Sequence, residues 1–437
     1  MRNWVHSPVV IPVGVLTILV LSLVAGNRPA EDTAGRPIVV YAHPPCGPEL
    51  MALYRPIWAE FRRTHPNIDF RVLHITGQYE DKLKVMVAGN VAPDVIFMYP
   101  NALAGWVELD TLLPLDDMLA SSALVSKEDY FPIMIDTFSY NDQLWGLPKD
   151  ASADIMHYNV DLFEQYGVPK PEEDWTWDDC IAAARQLTRD TDGDGRIDIW
   201  GMTPIEGDFL ANGWFTFVWG HGGEVLDADL NRCLLLEPEA LEGIERWCEL
   251  RWKYGVTPSL EVWNDLGGAR LFELGRVAMQ FAMYPAVTSE RTNCDFAWDI
   301  APMPRGPADR VTMAVGSALA VTQQSRNREA AFEFVRWMTS SEGMRGLIGV
   351  ELPSCIELAE SRDFLDYPES PSSKQVAVDA MKYTHVPVQH PYYFEIRDAL
   401  RPEIERASRG HISAREALEV ALPKVDAVLR RYHEEAR

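Results

Sequence analysis

The chain has 437 residues, with 40 Lys and Arg against 65 Asp and Glu, and its formal net charge is −25. A nucleic-acid-binding protein needs a basic surface that neutralises phosphates, so this charge balance argues against one. Apolar residues make up 47% of the chain and charged residues 24%, with 28 Gly and 30 Pro, which excludes a wholly disordered, collagen-like or coiled-coil protein.

The N-terminal segment is apolar. Residues 9–26 carry no charge and follow Arg2, which is the layout of a signal peptide. The run is also nearly long enough to span a bilayer if it stays uncleaved. A bacterial lipoprotein would carry Cys directly after this run, but Asn27 stands there. We therefore expect residues 1–26 to be a signal peptide or membrane anchor, followed by a polar tether at 27–37 and an extracytoplasmic chain.

Strands and helices alternate after the tether. Short apolar runs predict buried strands at 38–42, 68–75 and 94–98, and apolar residues at helical spacing between them predict two amphipathic helices. Three strands joined by two helices are typical of a doubly wound α/β sheet. The chain beyond residue 147 is richer in helices.

One helix in this second part has a clear start. Thr176 followed three residues later by Asp179 predicts a variant of the capping box, with Asp in place of Glu or Gln. The apolar face expected for this helix comprises Trp177, Cys180, Ile181, Ala184 and Leu187.

The segment DTDGDGRID, residues 190–198, resembles a calcium-binding loop. Hard Ca²⁺ prefers several oxygen ligands, and Gly195 stands at the position of the sharp turn. Position 12 of the loop is Gly201 instead of Glu, so the ligand set is complete only if Glu206 or Asp208 folds back. Two interpretations remain open, a structural Ca²⁺ site and a simple acidic turn. The candidate ligands are Asp190, Asp192, Asp194, the carbonyl of Arg196 and Asp198.

Several aromatic residues fall at strand ends or in Gly- and Pro-rich segments rather than in predicted helices. Aromatic faces stack on the C–H surfaces of sugars, so as a group they indicate an aromatic-lined cleft. Core packing is the alternative interpretation for each of them. They include Tyr99, Trp214, Trp219 and Tyr284.

The sequence shows no catalytic motif. It contains no G-x-S-x-G, no H-E-x-x-H, no P-loop and no G-x-G-x-x-G after a strand. The ten His show no metal-binding spacing, and the paired carboxylates are most simply a solvated surface. The six Cys form no C-x-x-C pair, which leaves buried thiols or one or two disulfides as alternatives.

Eight segments, taken in order, carry a family resemblance. They are YEDKLKVMVAGNVAPDVIFM (79–98), LLPLDDML (112–119), LWGLPKDASADIMHYNVDLFEQYGV (144–168), DWTWDDCIAAARQLTRDTDGDG (174–195), WGHGGEVLDAD (219–229), LFELGRVAMQFAMYP (271–285), APMPRGPADRVTMAVGSALAV (301–321) and NREAAFEFVRWMTSSEG (327–343). Together they resemble family 1 of the extracellular solute-binding proteins of ABC importers, in the sugar-binding branch related to maltose-binding protein.

This resemblance implies an α/β fold with two doubly wound lobes, joined by hinge crossovers as in class II periplasmic binding proteins, and a ligand in the cleft between them. It implies lobe I at 38–146 plus 299–338 and lobe II at 147–298 plus 339–437. The usual Gly-x-Trp of the family reads Met283-Tyr284-Pro285 here, which suggests that Tyr284 takes over the stacking role.

Ligands of open α/β sheets sit outside the carboxyl ends of the strands, and this rule selects the candidate cleft residues. Asp150 is the most specific of them, because a carboxylate can accept two sugar hydroxyls at once, although a surface turn is the alternative interpretation. The expected polar groups are His43 after the first strand, Gln78 after the second, Asp150 just past the first crossover, and the Gly316 and Ser317 backbone after the returning strand. The expected aromatic faces are Tyr99, Trp214, Trp219, Tyr284 and Tyr393.

These observations predict a non-enzymatic, monomeric receptor that captures a carbohydrate, in particular an oligosaccharide, by lobe closure and delivers it to an ABC permease. No cofactor is expected apart from the structural Ca²⁺, and no nucleic acid. Contact with the membrane would come through the N-terminus. The alternatives are a secreted carbohydrate-active enzyme and a binding protein for a non-sugar solute such as a polyamine, peptide or metal.

Overall fold

The computed structural model describes residues 30–203 and 213–435. The predicted signal peptide or anchor at 1–26 and the start of the tether lie outside the described residues. Within the described part, no helix combines the length and the apolar character that a membrane crossing requires.

The described chain forms two compact units, each built from separate stretches of sequence. Unit 1 comprises residues 30–97, 110–113 and 320–335, and unit 2 comprises the remaining described residues. The predicted lobe boundaries near residues 146, 298 and 338 stay predictions.

The strands are numbered in chain order. They are β1 (Ile38–His43), β2 (Asp69–His74), β3 (Val95–Met98), β4 (Ser139–Tyr140), β5 (Gln143–Leu144), β6 (Leu147–Asn159), β7 (Trp200–Thr203), β8 (Val277–Met283), β9 (Trp298–Ala301), β10 (Thr312–Val321), β11 (Leu352–Pro353) and β12 (Thr384–His385).

The α-helices are numbered in the same way. They are α1 (Pro48–Thr64), α2 (Tyr79–Ala88), α3 (Leu103–Glu108), α4 (Asp116–Ala120), α5 (Pro132–Thr137), α6 (Val160–Tyr166), α7 (Trp177–Leu187), α8 (Trp214–Gly220), α9 (Pro238–Trp252), α10 (Leu260–Leu266), α11 (Gly268–Glu273), α12 (Val287–Asn293), α13 (Arg328–Met338), α14 (Ser341–Met344), α15 (Ile356–Ala359), α16 (Arg362–Leu365), α17 (Gln375–Ala380), α18 (Tyr393–Ser408) and α19 (Ala414–Glu435). Short 3-10 turns lie at Pro100–Ala102, Lys127–Asp129, Tyr284–Ala286, Arg345–Leu347 and Met381–Tyr383.

Unit 1 contains a parallel sheet in the order β2–β1–β3. Its strands are short and largely apolar, and α1 and α2 connect them in sequence, so the predicted α/β alternation is confirmed. The core beside the sheet is aromatic: the ring centroid of Phe334 lies 5.2 Å from that of Tyr41 and 4.3 Å from that of Phe70.

Unit 2 is organised around β6, a 13-residue strand in which every residue is buried. Its first half pairs antiparallel with β10, up to Ala153, and its second half pairs antiparallel with β8, from Asp154. The short strands β11 and β9 also pair with β6, at residues 150–151 and 156–159. Strand β7 runs parallel to β8, and β12 runs parallel to β10.

The predicted start of α7 is confirmed in atomic detail. The Thr176 hydroxyl oxygen accepts from the Asp179 backbone N–H at 3.2 Å, and an Asp179 carboxylate oxygen accepts from the Thr176 N–H at 2.9 Å. These reciprocal bonds satisfy two donors that a helix N-terminus would otherwise leave unpaired. The expected apolar face is buried as well. All six Cys lie within the described residues and are free thiols, so no disulfide links them.

Candidate functional site

Three of the predicted ligand residues meet where the first half of β6 pairs with β10. Asp150 pairs across the sheet with Ser317, and the Ser317 hydroxyl donates a hydrogen bond to Asp150 Oδ2. Gly316 has a φ of 132°, and a Cβ on it would lie 2.6 Å from the Asp150 carbonyl oxygen. Only glycine therefore permits this approach. Asp150 belongs to a strand interior, so its interpretation as a surface turn residue is wrong, and Gly316 and Ser317 lie within β10 rather than after a strand.

Two further charged residues complete this group. Lys149 Nζ lies 2.8 Å from Asp150 Oδ2 and 2.6 Å from Glu351 Oε2. Lys149 is 1% exposed, Asp150 8% and Glu351 9%. Buried charges are costly unless they are paired, and here one ammonium pairs with two carboxylates. We name Lys149, Asp150, Ser317 and Glu351 the β6 carboxylate cluster. Its formal charge is −1, and its carboxylate oxygens accept hydrogen bonds but cannot donate them.

Tyr284 is linked to the same strand. Its backbone N–H donates to Ser152 Oγ at 3.2 Å, and Ser152 lies two residues from Asp150, on the same face of β6. The Tyr284 ring is buried and lies 5.5 Å from the Phe364 ring. Burial raises the pKa of its hydroxyl to about 12, so the hydroxyl stays protonated at neutral pH. The stacking role of Tyr284 stays a prediction.

Trp214 and Trp219 were expected outside helices, and this expectation is wrong. Both belong to α8, whose sequence WFTFVWG is apolar on every side and is buried throughout. One face of Trp219 stacks on His385 at 4.3 Å, and its indole N–H donates to Glu224 at 3.1 Å. These contacts favour the packing interpretation. The described structure does not bring either Trp into hydrogen-bond contact with the β6 carboxylate cluster.

The remaining candidates belong to different elements. His43 ends β1 and is 1% exposed, with its ring centroid 4.7 Å from that of Tyr54. Gln78 is exposed and has a φ of 44° directly before α2. Tyr99 follows β3 and is half-buried, whereas Tyr393 is buried at the start of α18. His43 and Gln78 belong to unit 1, and the others belong to unit 2.

The acidic loop after α7 brings three carboxylates together. Oxygens of Asp190, Asp192 and Asp194 lie within 4.8 Å of one another, and all three side chains are exposed. Asp198 instead accepts hydrogen bonds from the backbone N–H and hydroxyl of Thr191. Gly201, at position 12 of the loop, belongs to β7 and supplies no carboxylate. The backbone carbonyl of Arg196 remains a predicted Ca²⁺ ligand. The closing candidates Glu206 and Asp208 lie outside the described residues.

Sequence reasoning missed Lys149, Ser152 and Glu351. The sequence could have indicated a buried ion pair at Lys149, because a lysine within an apolar segment that folds as a buried strand needs an acidic partner. Glu351 gave no local signal, because its pairing with Lys149 bridges 202 positions of the chain.

The sequence matches a known family over most of its length. The model of the family described as bacterial extracellular solute-binding protein matches residues 47–345. A putative binding protein of Brucella abortus is 24% identical over 265 residues, which cover 59% of this chain and 61% of that protein. The mannitol-binding protein of Pseudomonas aeruginosa is 27% identical over 306 residues, which cover 64% of each chain. The matched part is thus less than two thirds of the length of these curated relatives.

Solved structures show the same fold. An ABC substrate-binding protein from Listeria monocytogenes, in complex with cycloalternan, aligns with a TM-score of 0.78 at 23% identity and covers 90% of this chain and 98% of that chain. A cyclic alpha-maltosyl-1,6-maltose binding protein from Arthrobacter globiformis gives 0.76 at 21% identity, covering 91% and 100%. A maltose-bound protein from T. maritima gives 0.73 at 18% identity, covering 90% and 99%. The predicted periplasmic-binding-protein fold is therefore confirmed.

Proposed function

Because this chain belongs to the family of bacterial extracellular solute-binding proteins, we propose that it captures a carbohydrate outside the cytoplasm and delivers it to the permease of an ABC importer. Relatives of the chain support the ligand class, since they include a mannitol-binding and an arabinooligosaccharide-binding protein. Solved neighbours of the same fold hold cycloalternan and maltose.

The observation that carries this proposal is the β6 carboxylate cluster. The carboxylates of Asp150 and Glu351 lie together at one end of β6, held by the Lys149 ammonium and, for Asp150, by the Ser317 hydroxyl, and carboxylate oxygens accept hydrogen bonds from hydroxyl groups. A carbohydrate offers several hydroxyl donors at fixed spacing, and hydrogen bonds to charged acceptors are about twice as strong as neutral ones. Binding without chemistry is the role of the family, and we propose the same role for this chain rather than hydrolysis.

Thermal-shift screening tests the ligand class. A ligand that binds only the folded state raises the melting temperature, and a concentration of 100 times its Kd adds about 2.7 kcal/mol of stability. The panel should contain mannitol and the manno-, gluco- and arabino-oligosaccharides, with spermidine and a peptide mixture for the alternative solutes. We expect a saccharide or polyol to give the largest shift. A shift with spermidine or peptides alone would contradict the proposal.

We also propose that the acidic loop at 190–198 holds one structural Ca²⁺. Its carboxylates are close enough together to share an ion, and their mutual repulsion would be relieved by a divalent cation. Oxygen donors are the ligands that Ca²⁺ prefers. The ion would supply only local stability, because the loop is exposed and carries none of the residues of the β6 carboxylate cluster.

A further inference from the structure

The imidazole ring of His385 lies between two hydrogen-bond acceptors in unit 2. His385 is the second residue of β12 and pairs with Met313 of β10. Its Nδ1 lies 2.8 Å from the backbone carbonyl oxygen of Val386, and its Nε2 lies 3.0 Å from Glu224 Oε1. A carbonyl oxygen and an ionised carboxylate accept hydrogen bonds and cannot donate them. Both ring nitrogens therefore carry a proton in this arrangement, and His385 is an imidazolium cation.

Trp219 of α8 completes this group. Its indole ring stacks on the His385 ring with 4.3 Å between the centroids and an angle of 14° between the planes, and its N–H donates to Glu224 Oε2 at 3.1 Å. The face of an indole ring attracts a cation, so the stack also favours the imidazolium. Trp219 is buried, whereas the side chains of His385 and Glu224 are 38% and 48% exposed and can exchange protons with water. We name Trp219, Glu224 and His385 the β12 clamp.

Glu224 is the charged group that faces the imidazole. Burial alone would lower the pKa of His385, but the hydrogen bonds to Glu224 and to the Val386 carbonyl outweigh it and raise the pKa above the ordinary value of 6.5. The other titratable or charged groups beside the clamp have partners of their own. They are His221 with the Phe217 carbonyl, Lys382 with Asp379, Arg305 with Asp309, Arg310 with Glu173, and Tyr383 with the Arg310 guanidinium.

The clamp holds a short strand. The two residues of β12 pair in parallel with Thr312 and Met313 of β10, and the clamp ties the same strand to the turn that follows α8. A neutral imidazole has a single N–H, so it satisfies one of the two acceptors and turns a lone pair toward the other. Loss of the proton therefore removes the ion pair in either tautomer, together with one of the two hydrogen bonds.

We propose that the β12 clamp is a pH-sensitive latch, in which protonated His385 holds β12 against the turn after α8 and deprotonation of His385 releases it. A histidine whose pKa is raised by folding contributes stability that is fully present below its unfolded pKa and is lost as the pH rises through its folded pKa. The latch is therefore closed in mildly acidic surroundings and opens in alkaline ones. It operates whichever solute the chain binds, so its failure would leave the proposed function standing.

NMR titration of the imidazole C–H signals measures the charge of His385 directly in the folded full chain, with the signal assigned by its absence from His385→Phe. We expect a pKa above 6.5 in wild type and a decrease of at least about 0.5 pH unit in Glu224→Gln, which removes the charge and keeps the shape. Glu242→Gln, on an exposed position of α9, is the matched control and should leave the pKa of His385 unchanged. A wild-type pKa at or below 6.5 would overturn the latch.

Hydrogen exchange reports whether the strand is released. We expect the protection factor of peptides that contain Thr384 and His385, corrected for the intrinsic exchange rate at each pH, to fall severalfold from pH 6 to pH 9 in wild type. His385→Phe keeps a ring on Trp219 but cannot titrate, so its protection should not change over this range. An equal change in both proteins would contradict the latch. If His385→Phe fails to fold, Glu224→Gln takes its place, and its protection at pH 6 should already be reduced.

Discussion

Asp150 shares one oxygen atom, Oδ2, between the Ser317 hydroxyl and the Lys149 ammonium, and it retains a small exposed surface. Lys149 also contacts Glu351, so removal of the Asp150 side chain still leaves the buried lysine one carboxylate. The residue can therefore be truncated without creating an unpaired buried charge.

Asp150→Ala should weaken saccharide binding by at least about tenfold, or ~1.4 kcal/mol, because a hydrogen bond to a charged acceptor is lost. Calorimetry with the tightest saccharide measures this, and Asp117→Ala on an exposed position serves as the control. Unchanged affinity in both Asp150→Ala and Tyr284→Ala, with folding intact, would show that the ligand binds elsewhere.

Asp154 is a second carboxyl on β6, at the point where the strand changes its pairing from β10 to β8. It is 2% exposed, and its Oδ1 has no hydrogen-bond partner among the described residues. Burial raises the pKa of this carboxyl from 3.8 to about 7. A carboxyl with a raised pKa in the folded state is neutral there at acidic pH, and its ionisation at higher pH opposes folding.

Asp154→Asn should therefore stabilise the protein more at pH 8 than at pH 5. The wild-type protein loses stability as the pH rises from about 4 to about 7, because the buried carboxyl ionises in the folded state. The variant has no such carboxyl, so its stability relative to wild type increases by roughly 3 kcal/mol between pH 5 and pH 8. Urea denaturation at the two pH values measures the difference, with Asp117→Asn as the exposed control. An equal effect of Asp154→Asn on stability at both pH values would contradict the raised pKa of Asp154.

The individual elements show which structural features the sequence predicts well. Strands β1 to β3 lie within one residue of the predicted runs at either end, because short apolar segments flanked by amphipathic helices leave few alternatives. Helix α8 was missed, because a segment that is apolar on all sides has no helical periodicity. The course of β6 past Asp150 was also missed, since its partners Ser317 and Glu351 are remote in sequence and only the tertiary fold brings them together.

The acidic loop at 190–198 can be tested for Ca²⁺ binding by its effect on stability. Four acids within nine residues repel one another, so removal of Ca²⁺ by a chelator should lower the melting temperature, and added Ca²⁺ should restore it. Asp192→Asn should reduce the response to Ca²⁺, whereas Asp117→Asn should retain it. A melting temperature that is the same with chelator and with Ca²⁺ would identify the loop as an acidic turn.

The whole molecule must leave the cytoplasm to perform the proposed function. We expect cleavage after Ala25 or Gly26, or retention of residues 9–26 as a membrane anchor. N-terminal sequencing of protein from separated soluble and membrane fractions distinguishes the two. Recovery of a chain that begins at Met1 in the soluble cytosolic fraction would contradict export.

The family and the fold of most of the chain followed from the order of eight segments, because each segment is weak evidence alone and their order along the chain is specific. The candidate site was predicted only in part. Asp150, Gly316 and Ser317 meet as neighbours, because they occupy the strands that the fold brings side by side.

Calorimetric titration with the saccharide that gives the largest thermal shift, followed by analysis of the recovered sugar, tests whether this protein is a carbohydrate receptor. We expect saturable binding of one saccharide per chain and recovery of that saccharide chemically unchanged after prolonged incubation. Saturation by no carbohydrate, or conversion of the sugar to cleaved products at a rate proportional to protein concentration, would contradict it.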